Sequence, residues 1–165
     1  MTRLLGIDLG ERRIGLALAD DDGSAARPLS TLRRGRDLDA DVKALAAVVA
    51  AQGVDVLIVG LPLEASGDEG TMAVQTRAWG DAIRERLDLP LSFRDERLSS
   101  HLAETRLGPM KRGRSGGPPS KTQRDAYRAR VDREAAAIIL QDELDTRAGA
   151  RSSMPRPQDP QETNR

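Results

Sequence analysis

The chain has 165 residues, with 26 Lys+Arg against 26 Asp+Glu, no cysteine, a single histidine and three aromatics, Trp79, Phe93 and Tyr127. Apolar residues at 38% together with 15 glycines make the ordinary globular share, enough for one core and one domain. The missing cysteines exclude disulfides, thiolate zinc sites, iron–sulfur clusters and a thiol nucleophile, His101 alone cannot supply a two-histidine zinc motif, and three aromatics are too few for a base-stacking platform.

Leu5, Ile7 and Leu9, then Ile14, Leu16 and Leu18, alternate as two hairpin strands around a tight connection at Gly10-Glu11-Arg12. A third, weaker strand is predicted over Leu29 to Leu32. Leu38, Val42, Leu45, Ala46 and Val49 recur at helical spacing, with Asp37 or Asp39 as the cap and Gly53 as the stop. Val54 to Val59 is a short, nearly continuous apolar run, as expected of a strand buried on both faces. Beyond Gly60-Leu61-Pro62 and a Gly-rich loop ending at Gly70, the stripe Met72, Trp79, Ile83 and Leu87 predicts a second helix, and Leu91 to Phe93 a fifth strand. A short helix over Ser99 to Leu107 leads into a basic loop. The last helix, with Ala135, Ala136, Ile139 and Leu140 on one face, is predicted to run to about Asp145. Residues 148–165, rich in proline and nearly free of apolar side chains, are expected to be disordered, leaving 1–147 as the domain. A hairpin followed by alternating strands and helices makes an α/β fold, a mixed sheet with helices packed on it. No run approaches the ~20 apolar residues of a membrane span, and no cleavage pattern follows Met1, so a cytoplasmic protein without membrane attachment is expected.

Zero net charge hides an asymmetry. Arg97 to Arg133 holds ten Lys/Arg against three acids, a balance of +7 that the rest of the chain offsets. Within it, Lys111 to Lys121 has four cations (Lys111, Arg112, Arg114 and Lys121), no acid, and Gly/Pro content that precludes a regular element. It reads as a mobile basic loop suited to a polyanion, although charge runs are more often plain solvated linkers.

Asp8 sits in the apolar strand Leu4-Leu5-Gly6-Ile7-Asp8-Leu9, a costly place for a carboxylate unless a cation or hydrogen bonds compensate it. Alternation puts it on one face with Gly6, and Gly15, Ala17 and Ala19 give the next strand a face with almost no side-chain volume. A close-packed Ala135-Ala136 helix face would bring Asp132, one turn earlier, toward Asp8. Alone, Asp132 reads equally as a helix N-cap. Of Asp95 and Glu96 at the end of the fifth strand, only one can join Asp8, and periodicity does not say which. Three carboxylates without His or Cys are the hard oxygen ligands that suit Mg²⁺ or Mn²⁺, one ion or two, and phosphodiester chemistry.

Four ordered segments make the sequence resemble the YqgF/RuvX family: Gly6-Ile7-Asp8-Leu9-Gly10 through Arg13-Ile14-Gly15-Leu16-Ala17; Val59-Gly60-Leu61-Pro62 with Gly67, Glu69 and Gly70; Asp95-Glu96-Arg97-Leu98-Ser99-Ser100; and Asp132 before Ala135-Ala136-Ala137-Ile138-Ile139-Leu140. The resemblance spans residues 3 to about 144. It implies a single RNase H-like domain, a mixed five-stranded sheet flanked by helices, with Asp8, Glu96 and Asp132 as catalytic, metal-binding acids. It further implies a metal-dependent nuclease, either a Holliday-junction resolvase or a nuclease maturing the 5′ end of the 16S ribosomal RNA precursor. RNA, branched DNA or single-stranded DNA is the expected partner, and the chain acts as a monomer or a homodimer. In one departure, Ala135 stands where RuvC-type enzymes carry a second helix carboxylate. Arg13, the Gly60–Gly70 loop and the 111–121 loop are reasonable substrate contacts through phosphate neutralisation and backbone N–H donation. Ser99 and Ser100 are expected to cap the short helix, and His101 to be an exposed side chain.

Two other readings compete. Asp8-x-Gly10-x-x-x-x-Gly15 also resembles the first phosphate loop of actin-like and hexokinase-like ATPases, but one domain without a second Asp-Gly hairpin leaves nothing to close over ATP. The other is a non-catalytic nucleic-acid-binding module, against which the three acids in their expected positions argue.

Overall fold

The computed structural model describes residues 1–153. Strands β1 (Arg3–Leu9), β2 (Arg13–Asp20), β3 (Arg27–Arg33), β4 (Val56–Leu61) and β5 (Leu91–Asp95) form one sheet in the order β3-β2-β1-β4-β5. β1, β2 and β3 pair antiparallel, and β1, β4 and β5 pair parallel. Helices α1 (Leu38–Gln52) and α2 (Thr71–Leu87) supply the crossovers. α3 (Ser99–Leu107) packs on α4 (Lys121–Ser152), which covers the other face. The mixed sheet flanked by helices is the architecture expected from the sequence.

Local chemistry sets the ends of these elements. The β1–β2 connection closes with the Gly10 N–H donating to the Arg13 carbonyl at 2.8 Å. α1 starts at Asp37, whose side chain accepts from the Ala40 N–H, and stops at Gly53 in the left-handed conformation (φ 65°). α4 opens on a capping box in which Ser120 and Gln123 satisfy each other's backbone N–H.

The two faces of the sheet are covered differently. Leu5, Ile7, Ile14, Leu16, Leu18, Leu57 and Val59 pack with Leu45 of α1 and Trp79 and Ile83 of α2 into the larger core. On the opposite face Leu4, Ala17, Ala19 and Ile58 meet Ala136, Ala137, Ile139 and Leu140 of α4. A buried carboxylate ties the first face to the site end: Asp41 accepts from Arg34 Nε at 2.9 Å, the Gly35 N–H at 2.8 Å and Trp79 Nε1 at 3.2 Å. Arg34 in turn donates to the Gly10 carbonyl at 2.9 Å, which holds the β1–β2 turn.

Three sequence expectations are corrected. Met72 is exposed (56%), because α2 presents Ala73, Thr76, Trp79, Gly80 and Ile83 to the sheet and turns its first-turn methionine outward. α4 continues past Asp145 to Ser152, where Arg151 reaches back to Asp21, so residues 148–152 of the expected disordered tail are helical; residues 154–165 of it lie outside the described residues. Lys121 is the first residue of α4, paired with Asp125 one turn on, and not part of a loop. No helix among the described residues is long and apolar enough to cross a membrane.

Candidate active site

Close approach of α4 to the hairpin builds the site. A Cβ at Gly15 would overlap the Asp132 carbonyl, and one at Gly6 would lie 2.8 Å from the Ala136 carbonyl. Only glycine at these positions lets the helix settle onto the strands, and that contact carries Asp132 to the Asp8 end of β1. The N-cap alternative for Asp132 falls away, since α4 begins twelve residues earlier at its own cap, Ser120.

Register decides between Asp95 and Glu96. Gly6 pairs with Ile58 and Gly60 with Arg94, so Arg94 faces α4, where it binds Asp142 at 2.6 Å. Two residues on, Glu96 faces the same way, while Asp95 points outward and pairs with Arg97 at 2.8 Å. Gly60 makes room for it, because a Cβ there would collide with the Glu96 carboxyl and with Ile139.

The half-buried Asp8 and Glu96 carboxyls stand close enough for the charge of one to act on the other, a setting that favours one of them keeping a proton. Glu96 Oε2 is buried and has no hydrogen-bond partner among the described residues. Burial raises the pKa of both groups; the negative charge of Asp8 raises that of Glu96 further, and Asp132 adds to the rise at Asp8. Asp132 itself accepts from Arg13 Nε at 2.5 Å. With Asp132 turned to Arg13, no three acids among the described residues converge closely enough to hold an ion between them.

Several supporting residues carry no sequence signal. Ser99, expected as a helix cap, instead donates through its hydroxyl to the Glu96 carbonyl at 3.0 Å, and its N–H does the same. α3 starts after Leu98 with no side-chain cap. Ser99 is buried (4%) and fixes the chain just after the Glu96 turn. Glu134 binds Arg106 on the α3 side, and Ala135 and Ala136 are fully buried, so no second carboxylate stands one turn after Asp132 on α4. His101 is exposed. Lys111, Arg112 and Arg114 lie exposed on the α3–α4 connection, which folds back through a Gly113 N–H to Gly117 carbonyl bond of 3.1 Å. Beside Glu96 opens a cleft of about 720 Å³ walled by Leu63, Leu98, Leu102, Ile138 and Asp142.

Comparison with known proteins points in one direction. The family model described as RuvX, Holliday junction resolvase, matches residues 2–146. A protein of Anaeromyxobacter sp. (strain Fw109-5), named as a candidate pre-16S rRNA nuclease, is 44% identical over 145 residues, covering 88% of this chain and 98% of the relative. A protein of Acaryochloris marina with the same name is 42% identical over 141 residues, covering 86% and 90%. Among solved structures, Thermus thermophilus RuvC in complex with a Holliday junction substrate superposes with a TM-score of 0.52 at 14% identity, over 90% of this chain and 97% of that one. This last likeness identifies the fold as RNase H-like.

Proposed function

The chain belongs to the RuvX family, and on that premise we propose that it is a divalent-metal-dependent nuclease hydrolysing phosphodiester bonds in structured nucleic acid, with Asp8, Glu96 and Asp132 as its catalytic acids. Its substrate is the 5′ leader of pre-16S ribosomal RNA, a Holliday-type DNA junction, or both. The observation that carries the reading is the Asp8–Glu96 pair, two carboxyls pressed together at the end of a buried strand, with Glu96 Oε2 left without a partner. A fold spends stability on such a pair only where a ligand compensates it.

The donor set fits a hard divalent cation, Mg²⁺ or Mn²⁺, because it offers carboxylate oxygens and nothing softer. Asp8 and Glu96 would hold the ion, joined by Asp132 when Arg13 releases it. A bound ion of this kind polarises the phosphate and lowers the pKa of attacking water. The protein's own parts hold and orient. Ser99 and Gly60 keep Glu96 in place. Gly15 sets the depth of α4. Arg13, which neutralises Asp132 in the free protein, can turn to a substrate phosphate in exchange.

The second reading, a non-catalytic binding module, is favoured by one observation, the commitment of Asp132 to Arg13. Incubating the protein and its Asp8→Asn variant with Mg²⁺ or Mn²⁺ on a panel of four-way DNA junction, duplex DNA, single-stranded DNA and a pre-16S leader RNA decides between them. Cleavage of any substrate that the variant loses supports the nuclease, and its identity names the substrate. Binding without Asp8-dependent cleavage leaves the module.

A further inference from the structure

Strand β2 carries cross-strand charge pairs at both of its ends, and they are opposite in kind. Far from the site, Arg3 pairs with Asp20 across β1 and β2, with Nε to Oδ1 at 2.7 Å. At the site end, the β2–β3 register sets Arg13 directly beside Arg33. Like charges in that position are destabilising. Asp132 answers Arg13, but Arg33 makes no hydrogen bond or ion pair through its side chain with any described residue. Arg12, exposed on the turn next door, has none either. Two unanswered guanidinium groups beside a third are an arrangement that an anion completes.

These residues line a cleft of about 600 Å³ between the β1–β2 turn, the end of β3 and the start of α4, walled also by Arg34, Lys121, Thr31 and Asp125. Five cations face two acids there, Glu11 and Asp125, and Asp125 is already paired with Lys121 at 2.8 Å. The walls are fixed: Thr31 Oγ1 donates to the Ala129 carbonyl at 2.6 Å, and the Arg34 N–H and Nη1 hold the Arg12 and Gly10 carbonyls at 2.8 and 2.9 Å. Arg128 adds to the field; the Asp125 carboxyl is held below its ordinary value first by the Lys121 hydrogen bond and then by the charges of Lys121, Arg128 and Arg13. No aromatic side chain lines the cleft, so it has nothing on which to stack a base.

Resting on the nuclease reading for its substrate class, we propose that this cleft seats the phosphates of the single strand flanking the scissile bond, with Arg12 and Arg33 as the phosphate ligands. Arg13 belongs both to the cleft and to the acid site, so a strand held at Asp8 and Asp132 continues into the cleft without a break. Recognition there is by charge on the sugar–phosphate backbone and is independent of sequence. The basic α3–α4 connection is then a secondary contact.

The test is binding without metal, which does not depend on turnover. Fluorescence anisotropy with labelled oligo-dT and oligo-U of about a dozen nucleotides is measured in chelator for the unaltered chain, Arg12→Glu/Arg33→Glu, the milder Arg12→Gln/Arg33→Gln, and Lys111→Glu/Arg112→Glu. The cleft reversal should weaken binding roughly tenfold or more at about 50 mM salt and lessen the log K against log salt slope by about 1.4, two phosphates at ~0.7 each. The glutamine pair should give a smaller loss in the same direction with a melting temperature unchanged or slightly raised, because it relieves the Arg13–Arg33 repulsion, and the loop reversal should matter less than the cleft reversal. Affinity and slope unchanged in both cleft variants, or a larger effect from the loop, overturns the proposal while leaving the nuclease reading intact. Displacement of the oligonucleotide by ATP or pyrophosphate as effectively as by an equal concentration of strand phosphate also overturns it, marking a small-phosphate site. No binding by the unaltered chain overturns this proposal and leaves the nuclease reading to its own cleavage test.

Discussion

The two faces of the sheet solve opposite problems with opposite residues. The face under α1 and α2 is filled by large aliphatic side chains, Leu5, Ile7, Leu16, Leu57 and Val59 among them, and Asp41 is the buried charge there, with three donors satisfying it. The face under α4 keeps Leu4 and Ile58 but is bare along the hairpin: Gly6, Gly15, Ala17 and Ala19 bring the helix backbone onto the strands, and at the open end of that gap stand Asp8, Glu96 and Asp132. One face stabilises by burying apolar area. The other gives up side-chain packing to bring carboxylates close, and leaves one oxygen of Glu96 unsatisfied.

Substitutions on the two faces should therefore fail differently. The largest effect belongs to the acid pair: Glu96→Gln or Asp8→Asn should cut metal-dependent cleavage roughly a hundredfold or more, taking loss of one electrostatic stabiliser as the floor, while the melting temperature holds or rises. Loss of cleavage accompanied by unfolding would break the contrast. On the filled face, Leu16→Ala should cost about 2–5 kcal/mol in chemical denaturation through the cavity it leaves and spare the chemistry of the protein that remains folded. On the bare face the harmful direction reverses. Gly15→Ala should cost about 1–3 kcal/mol by overpacking, and because the added methyl pushes on the Asp132 carbonyl, it should also lower cleavage per folded molecule. Full activity in that variant would show that the depth of α4 does not set the site.

The smallest effect is on stability against pH in chelator. Both Asp8 and Glu96 have folded-state pKa values above their ordinary ones, so the stability they contribute is complete below the ordinary carboxyl range near 4 and is lost as pH rises through the raised values. The slope is about 1.4 kcal/mol per pH unit for each proton that the folded state retains and the unfolded chain has lost. The gain of Glu96→Gln over the unaltered chain should grow from pH 5 to pH 8, read as the difference in melting temperature, and adding Mg²⁺ should shrink it. A constant difference across that range would mean that the two carboxyls do not share a proton in the folded protein.

Much of this was legible in the residues. Alternation around Gly10 specified the hairpin, Asp37 or Asp39 and Gly53 bounded α1 with the structure selecting Asp37 as the cap, and a carboxylate inside an apolar strand marked Asp8 before any contact was known. The errors fall where neighbours decide. Met72 fits the stripe of α2, yet the helix buries Ala73, Thr76, Trp79, Gly80 and Ile83 and leaves Met72 exposed. Ser99 has the composition of a cap and serves as an anchor for Glu96. Lys121 continues a basic run in sequence but begins a helix in space.

The sequence by itself determined the elements, their order and the chemical type of the site, since periodicity, capping and the absence of His and Cys around Asp8 are properties of the chain read locally. Tertiary structure decided what local pattern left open: that Glu96, the acid the family resemblance implied, turns inward while Asp95 turns out, that Asp132 lies mid-helix beside Arg13, and that Arg33 stands unanswered next to it. A period of two says that neighbours point to opposite faces but not which face a helix will cover, and a cross-strand pair exists only once the register is set.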